Sequence, residues 1–211
     1  MIRRSLVVAF ALVASACGGG PVQPDWQNDA LQSLNSYTAA YLSGNTRVAD
    51  AEFKRARSEL ARTGRFDLVA RAELVRCGVQ LASLEFDECP GYVALAADAA
   101  DAEKNYADFL LGKPVAPALL PAQYRVMAGG EGSVLNTIES PLSRLIAAGV
   151  RLRSGRLQPA DIDAAVAASS ANGWRRPLLA WLEMQARQAE SVGDQDGALR
   201  ARRRADLVVG K

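Results

Sequence analysis

Gly44-Asn-Thr-Arg-Val-Ala-Asp-Ala-Glu-Phe-Lys-Arg-Ala-Arg-Ser-Glu-Leu60 is the stretch on which the reading of the fold rests. Ala49, Phe53, Ala56 and Leu60 recur at three and four residues, so they share one face of a helix and leave the charged residues on the other. Gly44 in front and Gly64 behind punctuate the segment. No part of the chain shows period-two alternation with β-branched and aromatic enrichment, and Ala, Leu, Arg and Glu dominate throughout, so the fold class is all-α.

Upstream, a helix is expected from about Trp26 to Leu42. Downstream, a third spans Phe66 to Leu84, and a fourth opens at Pro90 and carries Leu95, Ala99, Ala102, Tyr106 and Leu110 to Gly112. Lys113-Pro-Val-Ala-Pro-Ala-Leu-Leu-Pro121 then forbids an unbroken helix. Residues 113–132 read as a Pro/Gly-rich connection, holding a short helix over Ala122–Ala128, between a four-helix half at 25–112 and a helical half at 133–211. In the second half Ser133 is a candidate cap for a helix that kinks at Pro141 and runs to Arg153. Further helices start at Pro159, around Pro177, and after Asp194.

An internal pattern links these helices. Gly44, Ala49, Phe53 and Ala56 share their spacing with Gly155, Ala160, Ala164 and Ala167, and with Gly193, Ala198, Arg202 and Ala205. This resembles the turn and second helix of the tetratricopeptide repeat, in which small residues let antiparallel helices approach closely. The large residues of that family's pattern are mostly missing, and Gly155 to Gly193 is 38 residues. A repeat-type array of helical hairpins and an irregular helical bundle both remain open. For the last hairpin the resemblance implies Ala198 and Ala205 buried against Ala186 and Ala189, with Arg200, Arg203 and Arg204 in water.

The N-terminus reads as a targeting segment. Met1-Ile-Arg-Arg precedes the apolar run Leu6–Val13 and the small residues Ala14-Ser15-Ala16, the three parts of a secretory signal peptide over 1–16. The apolar run falls short of the roughly 20 residues that span a bilayer. Ala14-Ser15-Ala16-Cys17 resembles the lipobox of bacterial lipoproteins, with Ala14 where Leu is usual. That resemblance implies a lipid-modified Cys17, residues 17–24 as anchor and tether, and an outer-membrane address facing the periplasm, since Gly18 carries no inner-membrane retention signal.

Removing residues 1–16 takes away Arg3 and Arg4 and no acid, which leaves 23 basic and 23 acidic residues. A neutral chain argues against a general nucleic-acid binder. With Cys17 assigned to lipid, Cys77 and Cys89 remain, and in an oxidising compartment a bridge is expected. Cys77 would lie about 11 Å back from the end of the third helix, so a bridge needs the chain from Glu85 onward to fold back along it. Two separate buried thiols are the alternative.

The chain has no His, which excludes Ser-His-Asp and Cys-His machinery and His-ligated zinc; no cofactor or metal is expected. Glu139-Ser140 matches two residues of the catalytic centre of lytic transglycosylases, but the Gly-Leu-Met-Gln type motif that should follow is absent, so it reads as a helix residue beside a kink. Arg151, Arg153 and Arg156 close one helix and Arg200, Arg203 and Arg204 crowd the last, offering a basic surface for an anionic partner. The expected function is a non-enzymatic, lipid-anchored adaptor with an envelope-protein partner; the alternatives are a peptidoglycan-acting enzyme or its activator using acidic residues, and a carrier for a small apolar ligand.

Overall fold

A computed structural model describes residues 24–129 and 135–210. Nine α-helices and no strand occur among the described residues: α1 (Asp25–Ser43), α2 (Thr46–Ala61), α3 (Phe66–Ala82), α4 (Pro90–Val93), α5 (Asp101–Leu110), α6 (Pro141–Arg153), α7 (Pro159–Ala171), α8 (Arg175–Ser191) and α9 (Gln195–Val209). None is long and apolar enough to cross a membrane. Side chains cap where the sequence expected starts: Asn45 Oδ1 accepts from the Val48 N–H at 3.3 Å and Asp194 Oδ1 from the Gly197 N–H at 2.8 Å. Gly44 ends α1 at φ +92°, a left-handed turn that lets α2 fold back along it.

Two expected helices are corrected. The fourth is not continuous: α4 ends after one turn, Ala96–Asp98 is a 3-10 turn, and Ala99 and Ala100 are extended before α5. Ala99 is still buried, so the apolar spacing was read correctly as burial but wrongly as one helix. In the second half Pro141 starts α6 instead of kinking it. Ser140 is the cap, its Oγ accepting from the Ser143 N–H at 3.3 Å. The expected cap Ser133 lies outside the described residues.

The core crosses both halves of the chain. α3 is its central member and packs on α1, α2, α4, α5 and α6. At the α3–α6 crossing a Cβ on Gly149 would stand 2.8 Å from both Cγ and the carbonyl oxygen of Leu81, so only glycine permits this approach. Trp181 of α8, wholly buried, donates from Nε1 to the Ala82 carbonyl at 3.0 Å and ties the second half to the end of α3. Arg176 closes the circuit to the first hairpin. Its Nε donates to the Tyr41 carbonyl at 2.9 Å and its Nη2 to Thr46 Oγ1 at 2.6 Å, with the guanidinium 4.1 Å above the Tyr41 ring. The α1–α2 hairpin packs with Val69, Ala72 and Val79 of α3 in one core cluster, α8 packs with Leu74 and Leu81 of α3 in the other, and α3 thus joins the two.

Small residues mediate the last hairpin, as expected: Ala186 and Ala189 of α8 and Ala198 of α9 are buried. Ala205 is only half-buried, and Ala201, three residues along the same stripe, is the buried neighbour of Ala198.

Beyond α3, Leu84 and Cys89 both take left-handed backbone, at φ +59° and +51°, and the chain between them doubles back along the helix. This brings Cys77 and Cys89 to disulfide distance with their Cα atoms 5.7 Å apart. Asp87 Oδ1 braces the turn by accepting from the Cys89 N–H at 2.9 Å.

Two outcomes follow from this packing. Gly149→Ala gains about 1 kcal/mol of helix propensity but overlaps a backbone oxygen that cannot move alone, a cost of about 1 to 3 kcal/mol. The variant, like Ala198→Leu, is expected to be less stable than the parent in urea denaturation, while Arg203→Ala changes stability by less than about 0.5 kcal/mol. Thiol counting on the unreduced, denatured protein is expected to find neither Cys77 nor Cys89 free, and reduction to lower the melting temperature by several degrees; two free thiols would remove the bridge.

Candidate functional site

The six arginines singled out in the sequence do not form one surface. Arg151 is 6% exposed and lies in the interior, its Nε donating to Asp161 Oδ2 at 2.7 Å. The same oxygen accepts from the Gln158 N–H at 2.8 Å, so the pair latches the end of α6 to the start of α7. Arg153 is a clamp: Nη1 donates to the Asp87 carbonyl at 2.8 Å and Nη2 to Glu88 Oε1 at 2.5 Å, which holds the loop that carries Cys89. Arg156 is exposed and turns back onto Ser154 Oγ at 3.1 Å. The expected basic face at 151, 153 and 156 is therefore corrected. At helical spacing in an Ala-rich chain, an arginine bridging two elements looks the same as one facing water.

α9 behaves differently. Arg200, Arg203 and Arg204 are all exposed. Arg200 approaches Asp194 at 3.8 Å, whereas Arg203 and Arg204 have no ion-pair partner among the described residues. Leu199 and Leu207 flank Arg203 at four-residue spacing on the same face, 50% and 76% exposed. Cys17 lies outside the described residues.

The most distinctive concavity is one that sequence reading missed. α3 contributes Arg71, Leu74 and Val75 from one face, α5 contributes Ala102, Glu103 and Tyr106, and the segment 118–125 supplies the outer wall with Leu119, Leu120, Pro121 and Arg125. Together they enclose an open, mainly apolar cleft of about 490 Å³, within the range of small-molecule sites. Its wall is the proline-rich stretch read from sequence as a connection. Asn105 fastens that stretch by pairing with the backbone of Ala116, its Oδ1 accepting from the N–H at 2.8 Å and its Nδ2 donating to the carbonyl at 3.1 Å. Arg125 Nε donates to the Leu120 carbonyl at 3.1 Å. Behind the cleft the ring of Tyr106 stacks on those of Phe109 and Tyr124, which are tilted to each other, with centroids 4.8–5.9 Å apart, and burial pushes the hydroxyls of both tyrosines above the usual phenol range, so they stay neutral donors.

Glu103 is the chemical centre of this cleft. Its side chain is 6% exposed, Oε1 accepts from Arg71 Nε at 2.6 Å, and Oε2 is buried with no hydrogen-bond partner. A buried acceptor left unmade costs about 1 to 3 kcal/mol, more when charged. One signal could have found it: Glu103, Ala107 and Leu110 fall in helical register, so a carboxylate occupies an apolar stripe. Glu73 on α3 is buried too, but it belongs to a different contact, taking Arg57 Nε at 2.8 Å and lying against Gly91.

Glu139 and Ser140 line another cleft, of about 590 Å³, with Gln123, Thr137 and Ser143. Its serine is accounted for by capping α6. No protein-family model, no curated protein and no solved structure matches this chain.

Proposed function

We propose that the protein is a non-enzymatic helical adaptor of the bacterial envelope, held to the outer membrane by lipid on Cys17 and presenting its terminal hairpin to an envelope protein. The observation that carries this reading is the outer face of α9. There two large apolar side chains and three arginines stand uncovered on a helix whose other face is locked to α8 by alanines. An exposed apolar stripe flanked by cations suits a partner surface that is apolar and acidic. The lipobox-like Ala14–Cys17 supports the anchor, and more than one acyl chain would make it stable.

A second reading is favoured by the cleft between α3 and α5, which suits a carrier of a small ligand. The peptidoglycan-directed alternative would need Glu139 or another acid to act on glycan.

Three measurements test the proposal. Cys17→Ser is expected to abolish acyl labelling and to release the protein from the membrane fraction, and unchanged labelling would sink the anchor. A photo-crosslinking residue at Leu207 is expected to capture an envelope protein in cells, with capture lost in the Arg203→Glu, Arg204→Glu variant and absent from the same probe at Arg55 on α2. Equal capture at both positions would discard the α9 surface. Incubation with purified peptidoglycan is expected to release no muropeptides; release that fails in Glu139→Gln would instead establish the enzyme.

A further inference from the structure

The cleft between α3, α5 and the 118–125 wall holds three charged groups, and their balance restricts what can bind there. Glu103 is buried beneath, with Oε1 engaged by Arg71 and Oε2 unpartnered. Arg71 and Arg125 line the same cleft, and both are largely exposed. Each commits its Nε to the protein, Arg71 to Glu103 and Arg125 to the Leu120 carbonyl, and neither makes a terminal-nitrogen hydrogen bond to a described residue. Two guanidinium groups therefore offer donors toward an anion while one carboxylate oxygen lacks a donor. The remaining lining, from Leu74, Val75, Ala102, Leu119, Leu120 and Pro121, is apolar.

Three kinds of small ligand can be weighed against this inventory. An apolar amine satisfies Oε2 but brings a third cation to a site with one carboxylate. An apolar carboxylate meets the arginines and leaves Oε2 without a donor, so the desolvation cost of that oxygen persists. A molecule that carries both an ammonium and a carboxylate on an apolar body answers every group at once.

We propose that this cleft binds a small zwitterion of the apolar α-amino-acid type, its ammonium on Glu103 Oε2, its carboxylate on Arg71 and Arg125, and its side chain against Leu74, Leu119 and Pro121. The proposal rests on the carrier reading of the cleft and is independent of the α9 surface, so either can fail alone. Oε2 is closed to solvent, so the ammonium reaches it only when a side chain at the rim moves aside. Arg71 is exposed at its outer end, which lets its guanidinium turn from a single contact with Glu103 toward a shared one with the ligand. The wall itself stays fixed by the paired hydrogen bonds of Asn105.

The test is calorimetric titration of the full chain carrying Cys17→Ser, so that no detergent competes for the cleft. The probes are phenylalanine, leucine, phenethylamine, hydrocinnamate and a short-chain lysophosphatidylethanolamine. One-to-one binding of phenylalanine or leucine is expected, with phenethylamine and hydrocinnamate weaker by at least about tenfold, the loss for a missing charged hydrogen bond. Glu103→Gln is expected to weaken phenylalanine by at least about tenfold and not to weaken hydrocinnamate, because it removes the anion that competes for Arg71. Ala102→Trp, an exposed position on the cleft lining, fills the site without touching the core and is expected to abolish binding while the melting temperature holds. The proposal is overturned if the single-charge analogues bind as tightly as the amino acids, if none of the amino acids binds, if only the lysolipid binds, or if Ala102→Trp binds like the parent.

Discussion

The crossing of α3 and α6 is the constraint on which the rest of the molecule depends. Gly149 lets the two helices meet with the backbone of Leu81 in direct contact, and no residue with a Cβ could occupy that position without moving one helix. The end of α3 is thereby fixed beside α6, and other contacts use that fixed point. Trp181 donates to the Ala82 carbonyl and seats α8, while Arg153 at the end of α6 holds the loop that returns Cys89 to Cys77. Gly78, one helical turn before Leu81 on α3, serves a related purpose. A Cβ there would meet Ile146 of α6 at 3.2 Å and the Tyr106 hydroxyl of α5 at 3.5 Å, so its absence admits a neighbour from each.

Charge inside the fold is organised by arginine. The chain has no histidine and few lysines, so most of its cations are long, planar and permanently charged. That chemistry suits bridging. Arg151 joins α6 to α7 through Asp161, Arg57 joins α2 to α3 through Glu73, Arg71 joins α3 to α5 through Glu103, and Arg176 joins α8 to α1, α2 and Glu85. In the Arg151 latch the acid also lies in the first turn of α7 and the cation in the last turn of α6, where each is favoured by its helix dipole. Among the acids of these bridges Glu103 keeps one buried oxygen, Oε2, without a hydrogen-bond partner, and Glu103 lines the cleft. Of the basic surface expected near the end of α6, Arg151 and Arg153 are taken up by structural contacts and only Arg156 faces water.

The two candidate surfaces differ in kind. The α9 face is convex, mixed in apolar and basic character, and suited to another macromolecule, whereas the cleft is concave, mainly apolar, and equipped with a few convergent charges. They lie on different elements, so occupying one leaves the other free.

By itself the sequence determined the all-α class, the starts and ends of most helices, and the alanine stripe of the last hairpin. These depend on local signals: apolar residues at three- and four-residue spacing, Asp194 ahead of the last helix, and glycines at the ends of helices. The N-terminal targeting pattern and Cys17 are read in the same way, from a motif of adjacent residues, and lie outside the described residues. Tertiary structure decided the break before α5, where Ala99 is buried without being helical, and the start of α6 at Pro141. It decided which arginines are surface and which are latches, since burial depends on the element that packs opposite. It also decided the cleft, because its wall comes from a proline-rich stretch with no periodic pattern, and its chemistry from a glutamate and two arginines far apart in the chain. Spacing along a helix specifies which side chains share a face; only packing specifies what that face meets.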